Sequence, residues 1–186
     1  MYDIRIIYMV FRKEDSMNLL SKVNSPQDIK GMSIEELKQL AQEICEVLIH
    51  RVNETGGHMA PNLGFVEATL ALHYVFDSPK DKFVFDVSHQ SYIHKMLTGR
   101  KEGFTDPASY SKYSGYTNPN ESDHDFFTVG HTSTSVSLAS GMAKARDLKG
   151  EDGNVIAIIG DGSMSGGEAL EGLNVSATLG SNFIVL

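Results

Sequence analysis

The sequence predicts an α/β fold, a partial doubly wound parallel sheet with helices on both faces, and three stretches carry that expectation. Residues 155–159, VIAII, are a short apolar run, mostly β-branched, which suits a strand buried on both faces. A glycine-rich turn and an apolar helical pattern follow it. Residues 81–87, DKFVFDV, form a second strand, again followed by a polar turn and a helical pattern. Residues 183–186, FIVL, begin a third strand after Gly180-Ser181-Asn182. In open parallel sheets, ligands bind at the carboxyl ends of the strands.

For 186 residues one domain is the expectation. Residues 17–186 are expected to form it, with residues 1–16 an extension outside the fold. The apolar share of 41% is enough to bury a core. Acidic residues outnumber basic ones by 24 to 16, a net charge of −8 without a basic run, which excludes non-specific nucleic-acid binding. A bound anion therefore needs a local positive site or a metal. The apolar run at residues 4–11 is interrupted by Arg5, is too short to span a bilayer and lacks a cleavage site, so membrane and signal readings are rejected. Cys45 is the single cysteine and cannot form an internal disulfide, which, without a secretory pattern, points to a reducing cytoplasm.

Residues 19–32 are mixed, with a turn at Ser25-Pro26, and are expected along the domain surface. Ser33 with Glu36 is a capping box. The helix it starts carries Ile34, Leu37, Leu40, Ile44, Val47, Leu48 and Val52 at helical spacing and ends at Gly56-Gly57. His58 follows in GGHMAPNLG, on a loop. Such a histidine is more often plain surface, and its near-neutral pKa is the reason to consider it. A second helix is expected over residues 64–76, with Val66, Leu70 and Val75 inward and His73 packed. Ser88-His89-Gln90 falls at the carboxyl end of the 81–87 strand. The next helix begins near Ser91, turns Ile93, Met96 and Leu97 inward, leaves His94 on the surface and stops at Gly99. Residues 99–127 show no periodicity, and loops of that length cover a site or are mobile. Their acidic end, ESDHD at 121–125, is expected to be solvated. In VGHTSTS, Thr132 to Ser135 suit a helix start, continued by Val136, Leu138, Met142 and Leu148. Gly130 and the free amides of that first turn suit an anion cradle, or a cap and nothing more.

Gly160-Asp161-Gly162 closes the 155–159 strand. Glycines let backbone approach a phosphate, and a helix amino terminus favours negative charge. Asp161 would repel a diphosphate unless it held a divalent cation bridging to one. A plain tight turn is the competing reading. Neither the GxGxxG nor the P-loop spacing is present. Ser165 with Glu168 predicts a capped helix whose inward face is Ala169, Leu170 and Leu173. The apolar strand at 183–186 has no polar cap or covering helix after it, so the chain is expected to be cut within a longer domain.

Four segments, GGHMAPNLG, FDVSHQSYIHKMLTGR, VGHTSTS and IGDGSMSGGEALEGLN, together resemble the amino-terminal part of the 1-deoxy-D-xylulose-5-phosphate synthase family, thiamine-diphosphate enzymes of the transketolase group. The similarity runs over residues 19–186. It implies an incomplete thiamine-diphosphate-binding fold, with thiamine diphosphate and Mg2+ as cofactors. The implied reaction joins pyruvate to glyceraldehyde 3-phosphate with loss of carbon dioxide, in isoprenoid and thiamine biosynthesis. On the family pattern Asp161 is a magnesium ligand, and Gly162 and Ser163 line the diphosphate. His89, Gly130, His131 and Thr132 contact the cofactor, and His58 handles protons near the reacting carbon. The full-length family is implied to be homodimeric, and a companion carboxyl-terminal chain would complete this one.

Departures from the pattern bear on those roles. The Asn that closes the family's magnesium motif lies beyond Leu186, and Asn174 falls too early to replace it. The glutamate that activates the pyrimidine ring belongs to a later domain. Ser88 stands where the family usually has Gly, and the 99–127 loop differs from better-known members. The expectation is therefore a chain inactive by itself. Half of a split transketolase-type enzyme, or a non-catalytic partner-binding fragment, are the alternatives.

Overall fold

A computed structural model describes residues 18–186, so the extension expected at residues 1–16 lies outside the described residues. Among the described residues three strands form one parallel sheet in the order β1 (Lys82–Phe85), β2 (Val155–Ile158) and β3 (Ile184–Val185). Phe83 is in register with Ile156, and Ile156 with Ile184. All four β2 residues are buried, as a strand covered on both faces should be.

Side-chain alternation sends Phe83, Phe85, Ile156 and Ile158 to one face, where they meet Leu72 of α4 (Val66–Val75). Val84, Val155 and Ala157 point the other way, against Ala139 and Ala143 of α7 (Ser135–Lys149). The expected doubly wound plan is present, with helices on both faces. Phe83, Val84 and Phe85 are β-propensity residues, and burying each side chain is worth roughly 1.5–3 kcal/mol.

The largest apolar cluster lies beside the sheet, around α2 (Ile34–Thr55). Ser33 Oγ accepts the Glu36 N–H at 3.2 Å and Glu36 accepts the Ser33 N–H at 2.8 Å, the reciprocal capping box the sequence predicts. Leu40, Ile44, Leu48 and Val52 of α2 pack with Leu19, Leu20, Val23 and Ile29. The 19–32 segment thus enters the core instead of lying along the surface. Its short helix α1 (Leu19–Lys22) is pinned because Glu43 of α2 accepts the N–H groups of Leu19 and Leu20, at 3.1 and 2.8 Å.

Other expectations need correcting. The GGHMAPNLG segment is not all loop, since α3 (Met59–Leu63) forms one turn inside it. Val75, expected inward, is exposed in the last turn of α4, and Leu148 is exposed in the last turn of α7. The 99–127 stretch carries α6 (Glu102–Thr105) and a 3₁₀ turn at Pro107–Ser109. Past β2 the chain makes a single helical turn, α8 (Asp161–Met164), before α9 (Gly167–Leu179). Ser165 does not cap α9, since its hydroxyl donates to the Gly162 carbonyl at 2.6 Å. Ala169 and Gly172 are the buried face of α9, while Leu170 is 52% exposed.

Candidate active site at the strand ends

β1 and β2 deliver their following residues to one edge of the sheet. After Phe85 the chain turns through Asp86, Val87 and Ser88, with Val87 and Ser88 left-handed at φ 56° and 72°. A β-branched residue with positive φ is strained, and such strain is held only where surrounding contacts over-determine it. Here Ser88 Oγ donates to the Val129 carbonyl at 3.3 Å and accepts the Thr117 N–H at 3.1 Å. Asp86 is buried, and its carboxylate accepts the N–H groups of Ser133, Thr134 and Ser135 at 2.9, 2.8 and 2.9 Å.

That arrangement corrects one expectation. The amides of Ser133, Thr134 and Ser135 at the start of α7, part of the stretch the sequence offers to an external anion, are taken by the carboxylate of Asp86. Burial alone would push the Asp86 carboxyl up. The N–H of Ser135, the Ser163 hydroxyl and the N–H groups of Ser133 and Thr134 outweigh it and hold the group below its ordinary value. Ser133, also left-handed at φ 71°, donates its hydroxyl to the Ser163 carbonyl at 2.7 Å. The turn after β1, the start of α7 and the turn after β2 are therefore laced together by Asp86, Ser88 and Ser133. None of these three was singled out as functional from the sequence. The one signal was Ser88, noted as a departure from the family's glycine.

A cavity of about 480 Å³ opens at this edge, lined among others by Asp86, His89, Gln90, Gly160, Asp161 and Ser163. Asp161 is exposed to it, and its carboxylate makes no hydrogen bond or ion pair among the described residues. His89 Nδ1 is buried and has no hydrogen-bond partner among the described residues. Burial, with the nearby His58 in support and Asp86 opposing, pushes His89 below its ordinary value. The His58 ring meets the His89 ring edge-on, with centroids 5.2 Å apart, and the Tyr116 ring at 5.9 Å. Gly130, His131 and Thr132 are exposed and do not line the cavity. Ser133, next along the chain, is hydrogen-bonded to the cavity residues Asp86 and Ser163, and His131 Nδ1 lies 2.8 Å from the Thr132 carbonyl. Gly162 lies at the surface within α8.

The structure thus brings His89, Asp161 and Ser163 into one cavity, sets His58 against His89, and leaves 130–132 and Gly162 outside the cavity lining. Among the described residues no three His, Cys, Asp or Glu side chains converge as a metal site. One free carboxylate suits Mg2+, which takes few protein carboxylates and fills its octahedron with phosphate oxygens and water. The residues fit a magnesium–diphosphate group.

The back of the site overturns two more expectations. His94, on α5 (Tyr92–Lys95), is buried, and the 121–125 stretch folds over it. His94 bridges His73 at 2.9 Å and Asp125 at 3.0 Å, while Arg100 clamps Asp125 with bonds of 2.6 and 2.9 Å. Lys95 pairs with Glu121. A buried carboxylate persists only when paired, and these pairs are what draw an acidic segment inward. Burial would raise the Asp125 carboxyl, but its bonds to His94 and Arg100 drive it far below the carboxylate range. The latch carries Tyr116 and Thr117 to His58 and Ser88.

Comparison with known proteins adds the chain's relatives. A family model described as 1-deoxy-D-xylulose-5-phosphate synthase matches residues 20–186. The chain is 55% identical over 168 residues to the 1-deoxy-D-xylulose-5-phosphate synthase of Dictyoglomus turgidum, covering 90% of this chain and 27% of the relative. It is 54% identical to that of Heliobacterium modesticaldum, over 90% of this chain and 26% of the relative. The Desulfitobacterium hafniense protein of the same name is 54% identical over 91% of this chain and 27% of its own length. The chain therefore spans about a quarter of the length of these curated relatives.

Proposed function

Because the chain belongs to the 1-deoxy-D-xylulose-5-phosphate synthase family, we propose that it supplies part of a thiamine-diphosphate site for joining pyruvate to glyceraldehyde 3-phosphate with release of carbon dioxide. The observation that carries the reading is the shared cavity at the ends of β1 and β2. There His89 and Asp161, whose carboxylate is unpaired among the described residues, line the same space. Bound thiamine diphosphate would supply a nucleophilic thiazolium carbon, and the protein's part is to bind, orient and screen it.

In this assignment Asp161 takes Mg2+, which offsets the repulsion between a diphosphate and a chain of net charge −8. Gly162 and Ser163 line the diphosphate, with Ser163 held through its carbonyl by Ser133. Gly130, His131 and Thr132 contact the cofactor. His89 contacts it from the wall, and His58, edge-on to His89, moves protons on substrate hydroxyls or carbonyls. Spanning about a quarter of its relatives, the chain by itself is expected to hold the cofactor weakly and to turn over no substrate.

Calorimetry with thiamine diphosphate tests the assignment. Binding should require Mg2+, and Asp161→Asn, an isosteric change at an exposed side chain, should weaken it about tenfold or more. Binding indifferent to Mg2+, or to Asp161→Asn, would overturn the assignment, as would no binding at all. One observation favours a second reading. Ile184, Val185 and Leu186 are exposed on a strand paired on one side only among the described residues, as in a non-catalytic fragment that docks onto a partner. A stable complex without magnesium-dependent cofactor binding would favour that reading.

A further inference from the structure

We propose that Asn62 is a positioning residue that sets the separation and mutual orientation of the His58 and His89 rings. The inference rests on the assignment of those histidines to the cofactor site and deepens it. Asn62 lies one helical turn after His58, in α3, and is 0% exposed. Its Nδ2 donates to two carbonyls on different segments, His58 O at 2.7 Å and His89 O at 2.8 Å. Its Oδ1 accepts the Tyr92 N–H at 2.9 Å, and the Tyr92 hydroxyl lies 3.4 Å from the His58 N–H.

A local helix bond would account for the first contact but not for the second, which reaches 27 residues along the chain. The two protons of a carboxamide nitrogen diverge at a fixed angle in one plane. Two carbonyls bound to them are therefore held at a fixed spacing, which a hydroxyl with one proton or a carboxylate with none cannot reproduce. The ring contact above these carbonyls is edge-on, at 5.2 Å and 78°, and is itself weak. The backbone beneath it, tied by Asn62, is what fixes the pair. The 86–90 turn already carries two left-handed residues, so it holds strain that can relax once the tie is cut.

The test uses the whole 186-residue chain and magnetic resonance. In the native chain the Asn62 Nδ2 protons should exchange with water about a hundredfold more slowly than exposed side-chain amides. A ring-to-ring Overhauser contact should join His58 and His89. In Asn62→Ala that contact should vanish, while the contact between the rings of His73 and His94, 5.1 Å apart in the latch, should persist and report an intact fold. Asn62→Asp, which keeps an acceptor for Tyr92 but donates nothing, should behave like Asn62→Ala. A His58–His89 contact that survives either variant with the fold intact overturns the proposal. A purely structural role would lower the melting temperature and leave that contact in place. Should neither variant fold, the native exchange rate decides: protection supports the proposal, and exchange at the exposed rate overturns it. Magnesium-dependent cofactor affinity should fall about tenfold in Asn62→Ala. If the native chain binds no cofactor while the ring contact depends on Asn62, the cofactor assignment fails and the positioning role stands.

Discussion

Asp125 and His94 are both held below their ordinary values, and His124 beside them carries a measurable consequence. His124 lies 2.8 Å from the Ser78 hydroxyl. Burial, reinforced by the charges of His94 and Arg100 and opposed by Asp125 and Asp123, pushes it down to about 4 from an ordinary 6.5. Between those values the unfolded chain binds a proton that the folded chain refuses, so stability rises with pH across the window. The contribution is complete above the unfolded value and is lost as pH falls toward the folded one. Burial lowers His73 and His94 as well, so both act in the same direction. The urea midpoint should therefore stay level above pH 6.5 and decline as pH drops to about 4. His124→Asn, which keeps a partner for Ser78, should make the decline shallower without removing it. A midpoint unchanged between those pH values would mean that the latch does not exclude the protons.

At the scale of elements, α7 and α9 meet closely at Gly172. A Cβ on Gly172 would lie 2.8 Å from Ser137 Oγ and 3.2 Å from Val136 Cγ1, so the two helices approach at the limit of contact. Gly141, in the middle of α7, has nothing among the described residues within 4 Å of such an atom. Alanine favours helix over glycine by about 1 kcal/mol at either position. At Gly141→Ala that gain should appear as stabilisation of up to about 1 kcal/mol, whereas at Gly172→Ala overpacking of about 1–3 kcal/mol should reverse its sign. Paired denaturant titrations check both. The same scale shows what the chain makes legible. The α2 capping box and its apolar spacing are local, and both stand. β1 and β2 are short apolar runs, and because parallel neighbours end on the same side, His89 and Asp161 were expected at one edge and line one cavity. What the sequence hid is carried by distant partners. Asp86 looked like part of a strand, since the amides it binds lie 47–49 residues downstream. His94 looked like surface, since the residues that bury it, His73 and Asp125, lie 21 residues before and 31 after. Ser165 had the capping pattern but spent its hydroxyl on Gly162.

For the whole molecule, the two covered faces of the sheet contrast with its β3 edge. β2 is completely buried, and Phe183 is partly packed against the cluster shared with α7. The ladder continues past β3, as the Leu186 N–H donates to the Ala157 carbonyl and the Leu186 carbonyl accepts the Ile159 N–H, each at 2.9 Å. Beyond it, among the described residues, no strand pairs with β3, and Ile184, Val185 and Leu186 stay exposed. An apolar edge with free backbone groups is a template for another strand, and charged side chains, lysine above all, are how such edges are blunted. The isolated chain should therefore associate with itself, giving a light-scattering mass that climbs above 20.4 kDa as concentration rises. Val185→Lys places a charge on the edge without touching the cavity, and should return the mass to that of one chain with the circular dichroism unchanged. Association that persists in Val185→Lys would locate the contact elsewhere, and a native chain that stays monomeric from micromolar to millimolar concentration would show that β3 is no template.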